Sequence, residues 1–230
     1  THHMWLAIDP PGRPGRSLGS TQATATSGPL RQGIGPVRDH VLGMAVVTGS
    51  GRVVRSGGKV VKNVAGFDLG KLHVGGFGAF GVMTEFHLRL RALPQQDTTL
   101  LARGSRDACT AAGRAITEAG ILVHALELLS PAVAAESGWV LAARLTGTPG
   151  GVAADATALR NLASELDWSE LRPDRAPAFW HLASRAMLGG ATSFRLVALQ
   201  PGRDELLDLL EATVGLGRVS AGAGSAGGAR

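Results

Sequence analysis

The chain has 230 residues, of which 44% are apolar, and it carries a formal net charge of +5 at pH 7. No apolar run reaches the roughly 18 residues that a membrane-spanning helix requires, so no transmembrane segment is predicted. The single cysteine excludes an internal disulfide and any all-cysteine iron–sulfur or zinc site built by this chain alone, and the scattered arginines argue against nucleic-acid binding.

The first 28 residues combine a short apolar run with a segment rich in proline, glycine and small side chains. Residues 5–8 are predicted to form a strand. Residues 9–28 do not favour a helix, because helix breakers are frequent and hydroxyl groups compete for backbone hydrogen bonds. Small side chains with free backbone donors suit contact with a ligand's phosphates or ring edge, and a flexible surface loop is the alternative interpretation.

Two short β-rich runs, residues 42–48 and 52–55, flank the sequence Gly49-Ser50-Gly51, which is typical of a hairpin turn. A short helix is predicted over residues 63–72. An apolar strand is predicted over residues 82–90, directly after a turn crowded with glycines.

That turn contains Gly75, Gly76, Gly78 and Gly81. Glycines at this density let a backbone come close to something flat or charged, because no β-carbon stands in the way. A tight structural corner without a ligand uses glycines in the same way. For Gly78 and Gly81, close approach to a cofactor and a purely structural turn therefore both remain possible.

The pattern changes after Pro94, which marks a domain boundary with the polar residues that follow it. Helices are predicted over residues 107–119, 151–166, 177–187 and 203–214, and strands over residues 121–129, 139–145 and 194–199. Strands that alternate with one-sided apolar helices imply a sheet covered on one side, in an α+β or α/β layer domain. The glycine- and alanine-rich end, residues 220–230, is predicted to be disordered.

The sequence lacks the residue patterns of several kinds of active site. No G-x-S-x-G nucleophile motif occurs, and Cys109 lies on the alanine-rich face of a helix, where an inert buried thiol is expected. The seven histidines form no H-x-x-x-H pair, so no metal site is predicted. No G-x-G-x-x-G joins a strand to a helix, which excludes the Rossmann dinucleotide fingerprint.

Five segments in the first 94 residues carry a combined signature. They are DPPG (9–12), SLGSTQATATSGP (17–29), GPVRDHVLGMAVVTGSGRVV (35–54), GGKVVKNVAGFDLGKL (57–72) and GGFGAFGVMTEFHLRLRALP (75–94). Together they resemble the FAD-linked oxidase family, which has the vanillyl-alcohol-oxidase or PCMH type of FAD-binding fold. The resemblance is closest to the FAD-binding subunits of glycolate oxidase, although Phe67 stands where that subunit type usually has tyrosine.

The resemblance implies an α+β protein with FAD as its cofactor. Residues 1–94 would be the second part of a PCMH-type FAD-binding domain, and residues 95–230 an α+β cap domain. Small residues in the matched segments would let backbone N–H groups approach the pyrophosphate and the flavin edge without a positive side chain. The FAD contacts carried over by position are Ser17, Gly19, Ser20, Gln22, Ala25, Ser27, Gly28, Val82 and Met83.

The activity implied by the resemblance is oxidation of a 2-hydroxy acid, with electrons passing through FAD to an iron–sulfur partner. The expected partners are a second flavoprotein subunit and an iron–sulfur subunit of a glycolate oxidase-like complex. A cytoplasmic location is expected, peripheral to the inner face of the membrane through those partners. The sequence names no catalytic base.

The chain departs from the family's pattern in two respects, and both favour an alternative to the FAD-dependent activity. The family's first subdomain, with its own glycine-rich pyrophosphate loop, would precede Trp5. A histidine usual near the end of this subunit type is also missing from the sequence of the tail. The chain alone is therefore expected to bind FAD weakly or not at all, and the alternative function is a non-catalytic remnant or scaffold subunit that no longer holds FAD.

Overall fold

The computed structural model describes residues 2–12, 15–59, 69–186, 208 and 220–222. Contacts between Cα atoms divide the chain into two compact units, Thr1–Leu93 and Pro94–Arg230. Three predicted elements lie wholly or mainly outside the described residues: most of the helix over 63–72, the strand over 194–199 and, except for residue 208, the helix over 203–214.

The N-terminal unit, in its described part, contains two small antiparallel sheets and several short helices. Its strands are β1 (Met4–Trp5), β2 (Val41–Val47), β3 (Val53–Gly57), β4 (Val82–Leu88) and β5 (Arg91–Ala92). Its α-helices are α1 (Leu18–Thr24), α2 (Arg31–Ile34) and α3 (Gly70–His73), and a 3-10 helix covers Val37–His40. β2 lies between β3 and β4, while β1 pairs with β5, so the strand predicted over residues 5–8 is shorter and begins earlier.

The predicted hairpin of β2 and β3 is confirmed. The two strands pair antiparallel with Val47 opposite Val53, and Thr48 donates its N–H to the Arg52 carbonyl at 2.9 Å. Gly51 has a φ of +78°, a left-handed conformation that glycine adopts without strain. The predicted strand after the glycine-rich turn is also confirmed, since β4 pairs with the other edge of β2.

Helix α1 contradicts the prediction that residues 9–28 contain no helix. Ser17 caps its first turn by accepting a hydrogen bond from the Ser20 N–H at 3.0 Å. The Thr24 hydroxyl donates to the Ser20 carbonyl at 2.8 Å, so it adds to the helix instead of competing with it. Ala25 ends the helix in a left-handed conformation with a φ of +48°.

The C-terminal unit is built on a five-stranded antiparallel sheet in the order β10-β7-β8-β6-β9. Its strands are β6 (Gln96–Gly104), β7 (Ala125–Leu129), β8 (Trp139–Gly147), β9 (Asp167–Leu171) and β10 (Ser220–Gly222). Its described helices are α4 (Arg106–Glu118), α5 (Pro131–Ala134), α6 (Pro149–Leu162) and α7 (Ala176–Ala186).

Helices cover both faces of this sheet, so the predicted cover on one side is wrong. On one face, Ile116 of α4 and Leu159 of α6 pack with Leu141 of the central strand, and all three are at most 2% exposed. On the other face, Val133 of α5 and Trp180 of α7 join a second buried cluster. Successive strand residues point to opposite faces, so β7 and β8 supply apolar side chains to both layers.

Several predicted elements of this unit are confirmed, with shifted ends. The helices over 107–119, 151–166 and 177–187 correspond to α4, α6 and α7, and the strand over 139–145 to β8. Only the second half of the strand predicted over 121–129 is present, as β7. Strands β6 and β9 were not predicted.

The first residues of the predicted disordered tail are ordered. β10 pairs antiparallel with β7, with Ala221 opposite Leu128. The prediction of disorder from residue 220 onward is therefore wrong for these three residues. Across the described part of the chain, no helix has the length and apolarity needed to cross a bilayer.

Candidate functional site

The two segments that carry the predicted cofactor contacts meet in the N-terminal unit. Gly75 donates its N–H to the Gln22 carbonyl at 2.9 Å, and Phe77 donates its N–H to the Ala23 carbonyl at the same distance. These bonds join the C-terminal end of α1 to the glycine-rich turn, although about 50 residues separate them in sequence. The structure thus places α1, its C-cap and the turn at one site.

Gly75 is required for this close approach. Its φ is +81°, and a Cβ added there would lie 3.2 Å from the Cβ of Ala25. Ala25, itself in a left-handed conformation, donates its N–H to the Gln22 carbonyl at 3.1 Å. Two left-handed residues therefore face each other where the turn meets the helix.

Ser27 and Gly28, two of the predicted cofactor contacts, have clear roles within the protein. The Ser27 hydroxyl is buried and accepts a hydrogen bond from the Val37 N–H at 3.3 Å. A Cβ at Gly28 would lie 2.1 Å from the Asp9 carbonyl oxygen, so only glycine fits against that loop. These contacts hold the segment after α1 in place.

Val82 and Met83 begin β4, immediately beyond the glycine-rich turn. Val82 is 68% exposed, whereas Met83 packs with Val46 and Phe86 in the apolar cluster of the small sheet. Gly81, which precedes them, has a φ of +140°, and a Cβ there would lie 2.4 Å from the Val47 carbonyl oxygen. Strand packing alone therefore accounts for glycine at position 81.

Gly78 differs from Gly81, because a Cβ at Gly78 would have nothing within 4 Å. The surface beside it is apolar: Phe77 is 78% exposed with a φ of +51°, and Phe80 is 50% exposed. Phe80 makes an edge contact with the His73 ring, with 6.1 Å between ring centroids. A non-glycine residue in the left-handed region is uncommon and indicates that the turn is held by its surroundings.

Gln22 is the most unusual of the predicted contacts. Its side chain is 0% exposed, and within the described parts of the chain neither Oε1 nor Nε2 has a hydrogen-bond partner. Burying an amide without partners costs about 1–3 kcal/mol. Such a group indicates a site whose hydrogen bonding is incomplete in the protein alone.

Arg16 also belongs to this site, and the sequence analysis missed it. Its guanidinium donates to the Pro11 carbonyl at 2.8 Å, to the hydroxyls of Thr24 and Thr26, and to the Ser20 carbonyl. These bonds connect the loop before α1 to both ends of the helix. No sequence signal marks this arginine, because its partners are four separate residues on both sides of it in sequence.

Two titratable groups have shifted pKa values for reasons of burial. His40, which is 2% exposed, has a lowered pKa because burial and the nearby Arg91 disfavour its charged form. Burial likewise raises the pKa of the Cys109 thiol in the C-terminal unit, as expected for an inert thiol. Among the residues that the structure describes, no group of three or more histidine, cysteine or acidic residues is placed to hold a metal ion.

No protein-family model matches the chain. Glycolate oxidase subunit GlcE of Escherichia coli is 44% identical over 82 residues, which are 36% of this chain and 23% of that protein. The mitochondrial D-lactate dehydrogenase [cytochrome] of Arabidopsis thaliana is 37% identical over 128 residues, which are 55% of this chain and 22% of that protein. These similarities, over 36% and 55% of the chain, support its resemblance to the FAD-linked oxidase family.

The predicted α+β fold class of the chain is confirmed by a solved structure. An alkyldihydroxyacetonephosphate synthase matches 92% of the chain, and 48% of its own length, with a TM-score of 0.71. At 14% identity, this likeness concerns the fold alone. The matched region spans less than a quarter of the length of each of the two curated relatives.

Proposed function

We propose that this chain is the FAD-binding part of a flavoenzyme that oxidises a 2-hydroxy acid, in a complex of the glycolate oxidase type. The names of the relatives support the chemistry, since one is a glycolate oxidase subunit and another a D-lactate dehydrogenase. Residues 1–94 form the cofactor domain in this proposal, and residues 95–230 form a cap domain. We assign no catalytic base.

The observation that carries the proposal is the buried amide of Gln22. A carboxamide offers both a donor and an acceptor, and the polar edge of a flavin ring presents both kinds of group. Because the amide is 0% exposed, bound FAD would supply the hydrogen bonds that Gln22 lacks within the described residues once the segment around α1 opens to admit the flavin edge. The left-handed pair at Ala25 and Gly75 supports this fit, because it keeps the backbone beside Gln22 free of bulky side chains.

The residues of the N-terminal unit would hold and orient the cofactor. Gln22 would bind polar flavin atoms, while Ser17, Gly19 and Ser20 would present small side chains and backbone groups to the rest of the molecule. Val82 would present an exposed apolar side chain at the start of β4. When bound, FAD would supply the two-electron chemistry of hydroxy-acid oxidation.

A substitution at Gln22 separates cofactor binding from folding. In Gln22→Leu, removal of the unpaired amide should raise the thermal midpoint of the FAD-free chain by about 3 °C. Loss of the flavin hydrogen bonds should weaken FAD binding by about tenfold, measured by fluorescence titration. Gln95→Leu, at an exposed position in the C-terminal unit, is the matched control and should change neither quantity.

Three results would count against the proposal. Unchanged FAD affinity in Gln22→Leu would remove Gln22 from the site, and a lowered midpoint would mean that its amide stabilises the protein without FAD. Failure of the unaltered chain to bind FAD at millimolar concentration would favour the alternative, a scaffold subunit that no longer holds the cofactor.

The proposed complex includes a second flavoprotein subunit and an iron–sulfur subunit that accepts electrons from FAD. The support is the word subunit in the names of GlcE and of a further relative, glycolate oxidase subunit GlcD of Bacillus subtilis, which is 46% identical over 68 residues. We further infer a cytoplasmic location, peripheral to the inner membrane face through these partners. Native purification followed by mass spectrometry tests the complex: recovery of the chain without a flavoprotein or iron–sulfur protein would contradict it.

A further inference from the structure

The side chain of Arg16 is held by contacts at its Cδ atom and at both terminal nitrogens of its guanidinium. It lies across Gly12, where an added Cβ would be 3.4 Å from both Cδ and Nη1. Nη1 donates to the Pro11 carbonyl at 2.8 Å, and Nη2 donates to the Thr26 hydroxyl at 3.0 Å. Nη2 also reaches the Thr24 hydroxyl, so the guanidinium has one defined position beside α1.

Every hydrogen-bond partner of this guanidinium is neutral. The acceptors are two backbone carbonyls and two threonine hydroxyls, and no carboxylate pairs with Arg16 in the described part of the chain. Its Nε, moreover, is buried and has no partner there. Neutral acceptors satisfy donors without cancelling charge, so a full positive charge remains beside the segment proposed to bind FAD.

A fixed and partly buried cation acts on anions over a distance. At physiological ionic strength its field extends about 8 Å, and burial weakens the screening by salt. Ser20 and Thr24, which contact the guanidinium, both belong to α1. A ligand that carries phosphate groups and binds along this helix would therefore gain affinity from Arg16, whereas an uncharged ligand would not.

We propose that Arg16 makes this site selective for a flavin that carries phosphate groups. The inference rests on the proposed function, and it adds a positive side chain that the sequence analysis did not foresee. Arg16 can affect flavin binding in two ways: its charge attracts phosphate groups, and its hydrogen bonds to neutral partners hold the site in shape. FAD has two phosphates and riboflavin has none, so comparing their affinities separates the effect of charge from the effect of shape.

The test uses the full chain, three flavins and two substitutions. Arg16→Gln keeps hydrogen-bond donors and removes the charge, whereas Arg16→Lys keeps the charge. We expect Arg16→Gln to weaken FAD binding about tenfold and FMN binding by a smaller factor, with riboflavin binding unchanged. Arg16→Lys should stay within about threefold of the unaltered chain for FAD. Arg38→Gln, at an exposed arginine of the same unit, is the matched control and should bind all three flavins normally.

Salt gives a second measurement that does not depend on folding of the variants. Between 50 and 500 mM NaCl, roughly the range over which screening becomes strong, FAD affinity of the unaltered chain should fall, and riboflavin affinity should not. An equal loss of FAD and riboflavin binding in Arg16→Gln would make Arg16 a purely structural clamp and overturn the inference. Salt-independent FAD binding would overturn it as well.

The two proposals fail in different ways. If the unaltered chain binds none of the three flavins, the proposed function falls, and the role of Arg16 falls with it. If the unaltered chain binds FAD and Arg16→Gln binds it equally well, only the role of Arg16 is overturned.

Discussion

The two units of this chain reach a defined structure by different means. The C-terminal unit buries apolar side chains on both faces of one sheet, and its largest cluster includes buried residues from three strands and two helices. The N-terminal unit has only small clusters, such as the one formed by Ala7, Leu30 and Ile34. It depends instead on backbone geometry, since eight of its described glycines have positive φ, against two in the described part of the C-terminal unit.

This difference explains where a cofactor site can form. In a sheet covered on both faces, few buried polar groups lack a hydrogen-bond partner. A unit built on turns and short helices can hold buried polar groups without partners, such as the amide of Gln22. The hydrogen bonds of Gly75 and Phe77 to α1 show how such a unit fixes its loops without a large core. Substitutions in the two units should therefore act through different mechanisms.

The largest expected effect lies in the C-terminal core. Leu159→Ala removes a side chain that is 0% exposed and should lower the free energy of unfolding by about 3–4 kcal/mol. Leu162→Ala, on the same helix but 41% exposed, is the control and should lower it by about 0.5 kcal/mol. Chemical denaturation measures both values, and similar losses would show that α6 does not pack as described.

A smaller effect is expected at the glycine-rich turn of the N-terminal unit. Gly81→Ala places a Cβ against the Val47 carbonyl at a strained φ, and should destabilise the unit by about 2–3 kcal/mol. Gly78→Ala has a left-handed φ but free space around it, so the loss should be about 1 kcal/mol. Hydrogen exchange rates of the β2 and β4 amides would measure the loss of stability in each of the two variants. Equal protection in the two variants would contradict the close contact at Gly81.

The smallest effect concerns pH and His40. Because the folded-state pKa of His40 lies below its ordinary value of 6.5, the unfolded state takes up a proton first as the pH falls. The stability of the N-terminal unit should therefore be complete above pH 6.5 and should decrease below it. His40→Gln should flatten this part of the stability profile. A profile with the same slope in both proteins would assign the pH dependence to other groups.

Local patterns predicted the elements that depend on local causes. The apolar face of α4 and the turn between β2 and β3 could be predicted from the sequence, because both depend on residues that are close together in the chain. Helix α1 was missed, because its stability depends on the Ser17 cap and on Arg16, whereas propensity counted its threonines as unfavourable. Strand β6 was missed because Thr98–Ala102 is buried on both faces and shows no alternation.

The candidate site was predictable in its membership and not in its organisation. The family resemblance selected Gln22 and Ala25, but long-range bonds between α1 and the turn decide which atoms meet. Ser27 and Gly28 came from the same motif, and their contacts with Val37 and Asp9 hold the fold together. Motif position alone does not separate residues that support a site from those that face a ligand, because both kinds share the same sequence segment.

Cys109 gives the C-terminal unit a built-in reporter of its opening. It is the only thiol of the chain, it is 0% exposed on the buried face of α4, and its raised pKa keeps the reactive thiolate scarce. An alkylating reagent can therefore modify the native protein only when this layer separates. The rate of alkylation at Cys109 therefore measures how often this layer of the C-terminal unit opens, without an engineered cysteine and without a signal from the N-terminal unit.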